Sequence, residues 1–302
     1  MDVKFHIPVM LQETISNLNL KPGQVIVDAT LGTGGHSQEI LKMITPGGRL
    51  IAIDRDMEAI EISRSRLEPF GSACEFYHGN FADLDLVLEK AGVSKIDGIV
   101  FDLGISTVQL KNAERGFSFQ EEGPLDMRLD RESYISAYDL VNNLNESEIS
   151  DLLWTFGEER WHNRIAHLVV EERQKQPIAT TTQLAELVSR SIPARFRHRH
   201  YRIHPATRTF QAVRIAVNRE LEILGAALDK AVAFLNNQAR ISVISFHSLE
   251  DRVVKHTFRR MEAEGSVNII TAKPLTPAYS EIEVNPSSRS SKLRVAERSI
   301  EP

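Results

Sequence analysis

Cysteine is almost absent from this chain of 302 residues, since Cys74 is its one representative. A single cysteine forms no intrachain disulfide and excludes metal sites built from several thiolates, and we predict no metal site. Long apolar runs are missing too: the longest are short stretches such as 25–27 and 99–101, far below the ~20 residues of a membrane span. Residues 1–6 carry charges and lead into no apolar segment, unlike a secretory signal. We therefore expect a cytoplasmic protein with no membrane partner.

The chain also lacks the glycine-lysine signature of P-loop nucleotide enzymes. Its content is that of a globular protein, with 42% apolar and 25% charged residues. In the first third, short β-branched runs alternate with helical segments. Strands are predicted at 25–30, 50–53, 75–78 and 99–101, and helices at 37–43, 57–67 and 84–91. This alternation predicts an α/β fold with an open parallel sheet and helices on both faces.

The next strong strand, at 241–246, follows only after a long gap. A crossover between parallel strands needs about 30 residues, and a helix predicted over 206–235 supplies it. The remaining residues have helical periodicity, at 149–156, 165–169 and 182–188, and are numerous enough to form an inserted domain. We predict a discontinuous domain over 1–107 and 208–302, interrupted by a helical domain over 108–207. Near the C-terminus, the pattern predicts strands at 267–271 and 293–296, the second as a closing edge strand.

A glycine turn follows the first predicted strand, and Asp54 ends the second. The turn, residues 32–35, permits close approach of a ligand, and the helix N-terminus behind it attracts an anionic group. Asp54 stands at the spacing of an acid that binds ribose hydroxyls. An acid in the strand before such a turn, here Asp28, favours S-adenosylmethionine, whose amine is a cation. An ordinary tight turn with a solvated aspartate and a dinucleotide-dependent oxidoreductase stay open as alternatives.

Side chains after the later strands are further candidates. Phe81 follows the third strand and either covers an adenine or packs under the next helix. Asp102 ends the fourth strand, where a buried carboxylate must find partners or shift its pKa, which favours a functional role. Gln109 follows closely and can donate and accept hydrogen bonds. His247, just past the fifth strand, is either a crevice residue or a structural histidine.

Basic charge is concentrated in one block. Residues 187–219 contain eight arginines, three histidines and no acid. Arginine forks are suited to phosphates, and the interleaved Phe196 and Tyr201 suit unstacked bases of single-stranded RNA. The alternative is a solvated surface whose arginines pair with the acidic stretch 107–186.

Ten motifs occur in order along the chain: residues 6–11 (HIPVML), 28–37 (DATLGTGGHS), 53–56 (IDRD), 101–104 (FDLG), 115–119 (RGFSF), 123–128 (GPLDMR), 156–160 (FGEER), 204–211 (HPATRTFQ), 245–252 (SFHSLEDR) and 292–298 (KLRVAER). With these motifs the chain resembles the ribosomal RNA small subunit methyltransferase H family of bacteria. Its members use S-adenosylmethionine to methylate the exocyclic N4 of a cytidine in the decoding region of 16S ribosomal RNA. The resemblance implies a class I, Rossmann-like methyltransferase sheet with an inserted helical substrate-recognition domain.

The resemblance also implies site residues and a partner. Carried over by motif, the S-adenosylmethionine contacts are Gly34, Gly35, His36, Asp54, Phe81, Asp102 and Gln109. RNA contacts are expected from Arg197, Arg199, Arg202 and Arg208 of the arginine block, and the partner is the small ribosomal subunit. Residues 106–110 read STVQL where many members have SSPQL, and the missing proline leaves φ free before Gln109. The sequence does not fix the oligomeric state, so a homodimer is left open.

The chemistry implied by the resemblance is demanding. The N4 amine of cytosine is a poor nucleophile, because its lone pair is delocalised into the ring. The enzyme must hold the amine near the sulfonium methyl and accept hydrogen bonds from it, with the base taken out of the stack. Asp102 is the candidate catalytic residue for this task, although a cofactor contact is the alternative for the same side chain. A methyltransferase with another substrate and a non-catalytic assembly factor are the rival functions.

Overall fold

The computed structural model describes residues 7–193 and 204–300. These residues fall into two compact units. The sheet unit lies within Met1–Gly104 and Leu221–Pro302, and the helical unit is Ile105–Glu220. Among the described residues, no helix is both long and apolar enough to cross a membrane.

The sheet unit contains a seven-stranded sheet. In chain order its strands are β1 Val25–Asp28, β2 Arg49–Asp54, β3 Cys74–His78, β4 Ile96–Asp102, β5 Leu235–Ser245, β6 Val267–Ile269 and β7 Lys292–Arg298. They lie in the order β3-β2-β1-β4-β5-β7-β6. Strands β1 to β5 are parallel, and β7 is antiparallel to both of its neighbours. The predicted α/β fold with a Rossmann-like sheet is confirmed.

Helices flank the sheet and build the helical unit. In chain order they are α1 Leu11–Asn17, α2 Gly35–Ile44, α3 Met57–Leu67, α4 Leu84–Lys90, α5 Thr107–Lys111, α6 Ala137–Asn143, α7 Glu146–Gly157, α8 His162–Arg173, α9 Thr181–Ser191, α10 Thr207–Asn218, α11 Glu220–Phe234, α12 Ser248–Ala263 and α13 Tyr279–Val284. Two apolar cores cover the two faces of the sheet. One joins β1 to β5 with α4, α11 and α12, and the other joins the sheet with α2 and α3.

The prediction that residues 293–296 close the sheet as an edge strand is wrong. Strand β7 lies between β5 and β6, and the short β6 forms the edge. Leu293, Val295 and Ala296 are fully buried, with Val295 and Ala296 in cores on opposite faces. The charged Lys292, Arg294 and Glu297 around them gave the pattern of an exposed edge, but Arg294 is itself buried.

The single helix predicted over 206–235 is also wrong, because the chain breaks at Arg219. Arg219 has a left-handed φ of 53° between α10 and α11. Helix α10 packs against α7 within the helical unit, where Gly157 lies so close that a Cβ would sit 2.8 Å from the Arg208 carbonyl oxygen. The helical unit therefore extends to Glu220 rather than to residue 207. Neither glycine nor proline marks the break, and the apolar repeat continues across it.

The rest of the helical unit follows its sequence pattern. The predicted helical segments at 149–156, 165–169 and 182–188 lie in α7, α8 and α9. Thr180 caps α9 in a reciprocal box with Gln183, because its hydroxyl accepts from the Gln183 amide. The apolar faces of these helices form one core with α10.

Candidate cofactor site at the carboxyl ends of the parallel strands

Three neighbouring parallel strands each end on an aspartate. Asp28 ends β1, Asp54 ends β2 and Asp102 ends β4. In register, Asp28 pairs with Ala52 and Val100, so the other two carboxylates stand two residues further along on either side. The strand order reverses between β1 and β4, where open α/β sheets bind their ligands. The site is therefore an acidic crevice at this edge of the sheet.

Asp54 holds the glycine turn in place. Its Oδ2 accepts from the Gly32 amide at 2.7 Å, and its Oδ1 accepts from the Asp56 amide at 2.8 Å. Burial raises the pKa of Asp54 to about 6, although these amide hydrogen bonds oppose the shift. Each oxygen keeps a further lone pair, so the carboxylate can accept from ligand hydroxyls while it supports the turn.

Gly34 begins α2 in a conformation that favours glycine. Its φ is 74°, in the left-handed region. A Cβ at this position would also lie 3.3 Å from side-chain atoms of Ser63 and Leu67 on α3. The Ser63 hydroxyl in turn donates to the Gly32 carbonyl at 2.8 Å. The turn is thus a fixed backbone surface at the start of a helix, as an anion site requires.

Gly35 and His36 bind the N-terminal segment of the chain. A Cβ on Gly35 would lie 2.7 Å from Cγ of Pro8, so glycine is explained at this position by packing alone. The His36 ring is buried, and its Nε2 lies 3.0 Å from the Val9 carbonyl oxygen. Residues 8 and 9 were not predicted to contact this turn, because nothing in the spacing of their motif indicates a contact 27 residues along the chain.

Asp28 is the most enclosed of the three carboxylates, with 1% of the residue exposed. Its Oδ2 accepts from the Ser37 hydroxyl at 2.6 Å and its Oδ1 from the Thr30 amide at 3.2 Å. Burial raises its pKa to about 6, and the charge of Asp54 adds to the shift. Asp28 supplies negative charge beneath the crevice without facing solvent.

Asp102 is the carboxylate that opens into the crevice. Its side chain is 26% exposed, and its Oδ2 lies 3.6 Å from Nδ1 of His36. Its Oδ1 is shielded from solvent and has no hydrogen-bond partner among the described residues. Burial, with the charges of Asp28 and Glu250, raises the pKa of Asp102 well above its ordinary value. An oxygen without a hydrogen-bond donor, surrounded by other carboxylates, is suited to binding a positively charged donor.

Phe81 lies partly in the core and partly exposed, so it combines the two environments predicted for it: packing under a helix and covering an adenine. It packs edge-on against Phe101, with ring centroids 5.6 Å apart, and it is only partly buried. Asn80 fixes its approach, since its side chain accepts from the Ala82 amide at 3.1 Å. The ring is anchored in the core and keeps exposed surface for a planar ligand.

His247 caps α12 at the end of β5. Its Nδ1 accepts from the Glu250 amide at 3.3 Å, and its Nε2 lies 3.2 Å from Oε1 of Glu250. Glu250 is 2% exposed, and its Oε2 accepts from the Phe246 amide at 2.8 Å. Nδ1 of His247 thus caps the helix, while its Nε2 is buried and makes no hydrogen bond of good geometry with the described residues.

Gln109 belongs to the helical unit, so it is not among the residues that the sheet unit brings together. Its Oε1 accepts from the Ser106 amide at 2.8 Å, and its own amide donates to the Ser106 hydroxyl at 3.2 Å. This reciprocal box starts α5. The loop before Gln109 is therefore fixed by hydrogen bonds where many relatives carry a proline.

The predicted RNA contacts are described in part. Arg197, Arg199 and Arg202 lie outside the described residues. Arg208 is exposed and donates to the Glu158 carbonyl at 2.9 Å. Arg190, from the same block, pairs with Glu172 at 3.1 Å, which is the structural alternative considered for these arginines.

An exposed aromatic pair in the helical unit was missed by the sequence analysis. Trp154 is 57% exposed, and its ring lies 5.2 Å from that of His162. Its position off the apolar stripe of α7 was the available signal. A flat exposed surface of this kind can stack on an unpaired base.

The arrangement fits S-adenosylmethionine, the cofactor that the resemblance implies. The orphaned Oδ1 of Asp102 needs a donor, and the acidic crevice favours the cofactor's ammonium group. The helix start at Gly34 and Gly35 suits its carboxylate, and Asp54 suits its ribose. The residues that carry these roles come from one edge of one sheet.

The chain is similar in sequence to a protein family and to several of its members. A family model described as the MraW methylase family matches residues 3–299. The ribosomal RNA small subunit methyltransferase H of Clostridium botulinum is 45% identical over 97% of this chain and 98% of its own length. That of Dehalococcoides mccartyi is 47% identical over 98% of this chain and 87% of its own length. Among solved structures, an rRNA methylase from Streptococcus thermophilus aligns with a TM-score of 0.45 and 10% identity over 98% of this chain and 100% of that chain.

Proposed function

This chain belongs to the MraW methylase family, and we propose that it methylates the exocyclic N4 of a cytidine in the decoding region of 16S ribosomal RNA, with S-adenosylmethionine as methyl donor. Relatives at 45% and 47% identity that carry the name ribosomal RNA small subunit methyltransferase H support small-subunit ribosomal RNA as the substrate, and the family resemblance implies the cytidine N4 in the decoding region. The single observation that carries the cofactor assignment is the row of three strand-end aspartates with the unpartnered Oδ1 of Asp102. Family membership decides against the dinucleotide-dependent oxidoreductase.

Each contact in the sheet unit has a proposed task. When bound, S-adenosylmethionine supplies a methyl group on a positively charged sulfonium. Asp102, with Asp28 behind it, binds the ammonium group. Asp54 accepts from the ribose hydroxyls. The remaining contacts in this unit are the α2 start at Gly34, Gly35 and His36 for the carboxylate and Phe81 for the adenine face. Gln109 stays a cofactor contact that the family resemblance implies.

Asp102 is also the proposed acceptor for hydrogen bonds from the target amine. Hydrogen bonding to a carboxylate oxygen would draw the N4 lone pair out of conjugation with the ring. The ionised carboxylate of Asp102 is a stronger acceptor than the protonated acid, so the cation that lowers its pKa also prepares it for the base. Its main task remains cofactor binding, and the amine contact is the second.

RNA recognition is assigned to the helical unit. Arg197, Arg199, Arg202 and Arg208 bind phosphates, and the exposed Trp154 offers a stacking surface for a splayed base. The partner is the small ribosomal subunit, and the cytoplasm is the compartment because ribosomal RNA resides there. A homodimer stays a prediction.

The test is product analysis of 16S ribosomal RNA. Purified protein is incubated with S-adenosylmethionine and small subunits from cells that lack the activity, and the nucleosides are separated by mass spectrometry. We expect N4-methylated cytidine with the protein and none without it. RNA that is bound but unmethylated would instead identify a non-catalytic assembly factor, and methylation at another atom would refute the N4 assignment.

A further inference from the structure

A second polar site lies in the sheet unit, away from the strand-end crevice. It is a groove between α12 and the edge of the sheet at β6, with Phe258 and Ile269 among its apolar lining and Lys255, Arg259 and Arg294 around them. Its volume of about 200 Å³ is below the ~300–1,000 Å³ of a small-molecule site. The groove suits a small charged group that belongs to a larger ligand.

The cations of this groove are only partly neutralised. Arg294 pairs with Asp251 at 2.7 Å, and Asp251 also pairs with Lys292 at 3.0 Å. Lys255 and Arg259 have no ionic partner among the residues that the structure describes, whereas the next residue, Arg260, pairs with Asp229 and Glu264.

Lys255 and Arg259 are also neighbours on one face of α12. Residues four apart on a helix lie side by side, and like charges at this spacing repel. An anion held between them relieves this repulsion.

One acid, Glu262, lines the groove beside three cations. Its Oε1 accepts from the amide of Ile269, which belongs to the same lining, at 3.1 Å. Thr271 fixes the opposite wall, since its hydroxyl accepts from the Val295 amide at 2.8 Å. The lining carries more positive than negative charge, so the groove favours a ligand with acceptor oxygens and negative charge.

Strand register locates the groove relative to the crevice. Ile269 of the lining pairs with Ala296, Ala296 with Ile241, and Ile241 with Ile99, which lies three residues before Asp102 on β4. Three strand spacings of about 4.8 Å and three residues of about 3.3 Å put the groove roughly 17 Å from the end of β4. A few nucleotides of single-stranded RNA can span that distance.

We propose that this groove binds backbone phosphates of the RNA substrate beside the target cytidine, with Lys255 and Arg259 as the phosphate contacts. The inference rests on the proposed function, because it takes RNA as the substrate. The groove would provide a second set of phosphate contacts, on the sheet unit, in addition to those proposed for the arginine block of the helical unit. Phosphate contacts position a nucleic acid without reading its sequence, so the groove would orient the strand that enters the crevice.

The test uses the full chain carrying Lys255→Gln and Arg259→Gln together. Its affinity for a 16S RNA fragment with the decoding region is measured over a range of salt concentrations. Each lost phosphate contact removes about 0.7 from the log–log salt slope for single strands, so we expect the slope to fall by about 1.4. S-adenosylmethionine affinity, melting temperature and the methylation rate at saturating RNA should stay as in the wild type.

Two matched variants sharpen the result. Lys42→Gln with Arg64→Gln removes the same charge from α2 and α3, on the other face of the sheet, and should leave the slope unchanged. Lys255→Arg with Arg259→Lys keeps the charge and should keep the slope. An unchanged slope in the groove variant, or an equal fall in the α2–α3 variant, overturns the proposal.

A third measurement separates RNA from free phosphate. If inorganic phosphate binds the groove and the groove variant abolishes that binding without changing the RNA slope, the site takes a free anion and the proposal is overturned. Failure of the proposed function would look different, because the wild-type protein itself would then show no binding or methylation of the RNA.

Discussion

The His36 ring joins Asp102 of the crevice to the N-terminal segment of the chain. Its Nδ1 lies 3.6 Å from Oδ2 of Asp102, and its Nε2 lies 3.0 Å from the Val9 carbonyl oxygen. A carbonyl oxygen can only accept, so the contact with Val9 requires a hydrogen on Nε2. The ring is therefore held in place by Val9 beside the carboxylate that opens into the crevice.

The strand-end carboxylates predict that cofactor affinity depends on pH. The pKa values of Asp28 and Asp54 are raised to about 6, and that of Asp102 is raised well above its ordinary value. A cationic ligand favours the ionised carboxylates, so S-adenosylmethionine binding should release protons and strengthen as pH rises from about 5 towards 7.5. Each coupled proton contributes at most about tenfold per pH unit below its pKa. Calorimetry in buffers of different ionisation enthalpy measures both effects, and a pH-independent affinity without proton release would contradict the site.

Asp28 predicts a second pH effect, on the protein without cofactor. Its pKa is higher in the folded protein than in the unfolded chain, so the folded state binds the extra proton and loses stability as pH rises from about 4 through 6. Asp28→Asn removes this loss. The unfolding free energy of the variant should therefore rise relative to that of the wild type by up to about 1.4 kcal/mol per pH unit in that window. Urea unfolding of both proteins at several pH values gives the difference. A constant difference across the window would mean that Asp28 is ionised throughout.

The strand ends were predictable because buried parallel strands give compact apolar runs that stop at a polar residue. Asp54 and Asp102 were identified in this way, and the glycine turn between β1 and α2 needed only local signals. The partners of these residues were not predictable. Val9 reaches His36 and Pro8 reaches Gly35 through tertiary packing across 27 residues, and no local pattern encodes such a contact.

Two features of the fold were not predicted from the sequence, for related physical reasons. Strand β7 mixes charged and apolar residues as an edge strand does, yet Arg294 is buried because Asp251 on α12 neutralises it at 2.7 Å. The break at Arg219 lacks a helix-breaking residue type, and tertiary contacts hold the end of α10. Asn218 accepts from the Leu129 amide and donates to the Met127 carbonyl, both at 2.8 Å.

Gly35→Ala tests the role of the N-terminal segment. The new Cβ would lie 2.7 Å from Cγ of Pro8, so residues 8 and 9 must shift and the Val9–His36 contact weakens. We expect a loss of about 1–3 kcal/mol in unfolding free energy, with weaker S-adenosylmethionine binding. Gly79→Ala is the matched control, since a Cβ there meets nothing within 4 Å. Adding Pro8→Gly to Gly35→Ala should restore binding, and a fully stable Gly35→Ala protein would show that the contact is unimportant.

Asp54→Ala should weaken cofactor binding in two ways. It removes the acceptors for the ribose hydroxyls, and it frees the Gly32 amide that Asp54 holds at 2.7 Å. A loss of ~1.5–3 kcal/mol corresponds to roughly 10- to 150-fold in affinity. Asp54→Asn keeps one carbonyl acceptor and should lose less. Calorimetry on variants shown to be folded by circular dichroism decides the point, and equal affinities for all three proteins would remove Asp54 from the site.

Titration of S-adenosylmethionine into Asp102→Asn at pH 7.5 tests the strand-end site most directly. The substitution keeps the shape of the side chain but removes the charge that faces the crevice. The account predicts a rise in Kd of roughly 10- to 150-fold, with turnover at saturating cofactor reduced only if the carboxylate also accepts from the N4 amine. A folded Asp102→Asn protein with wild-type Kd and wild-type turnover would contradict it.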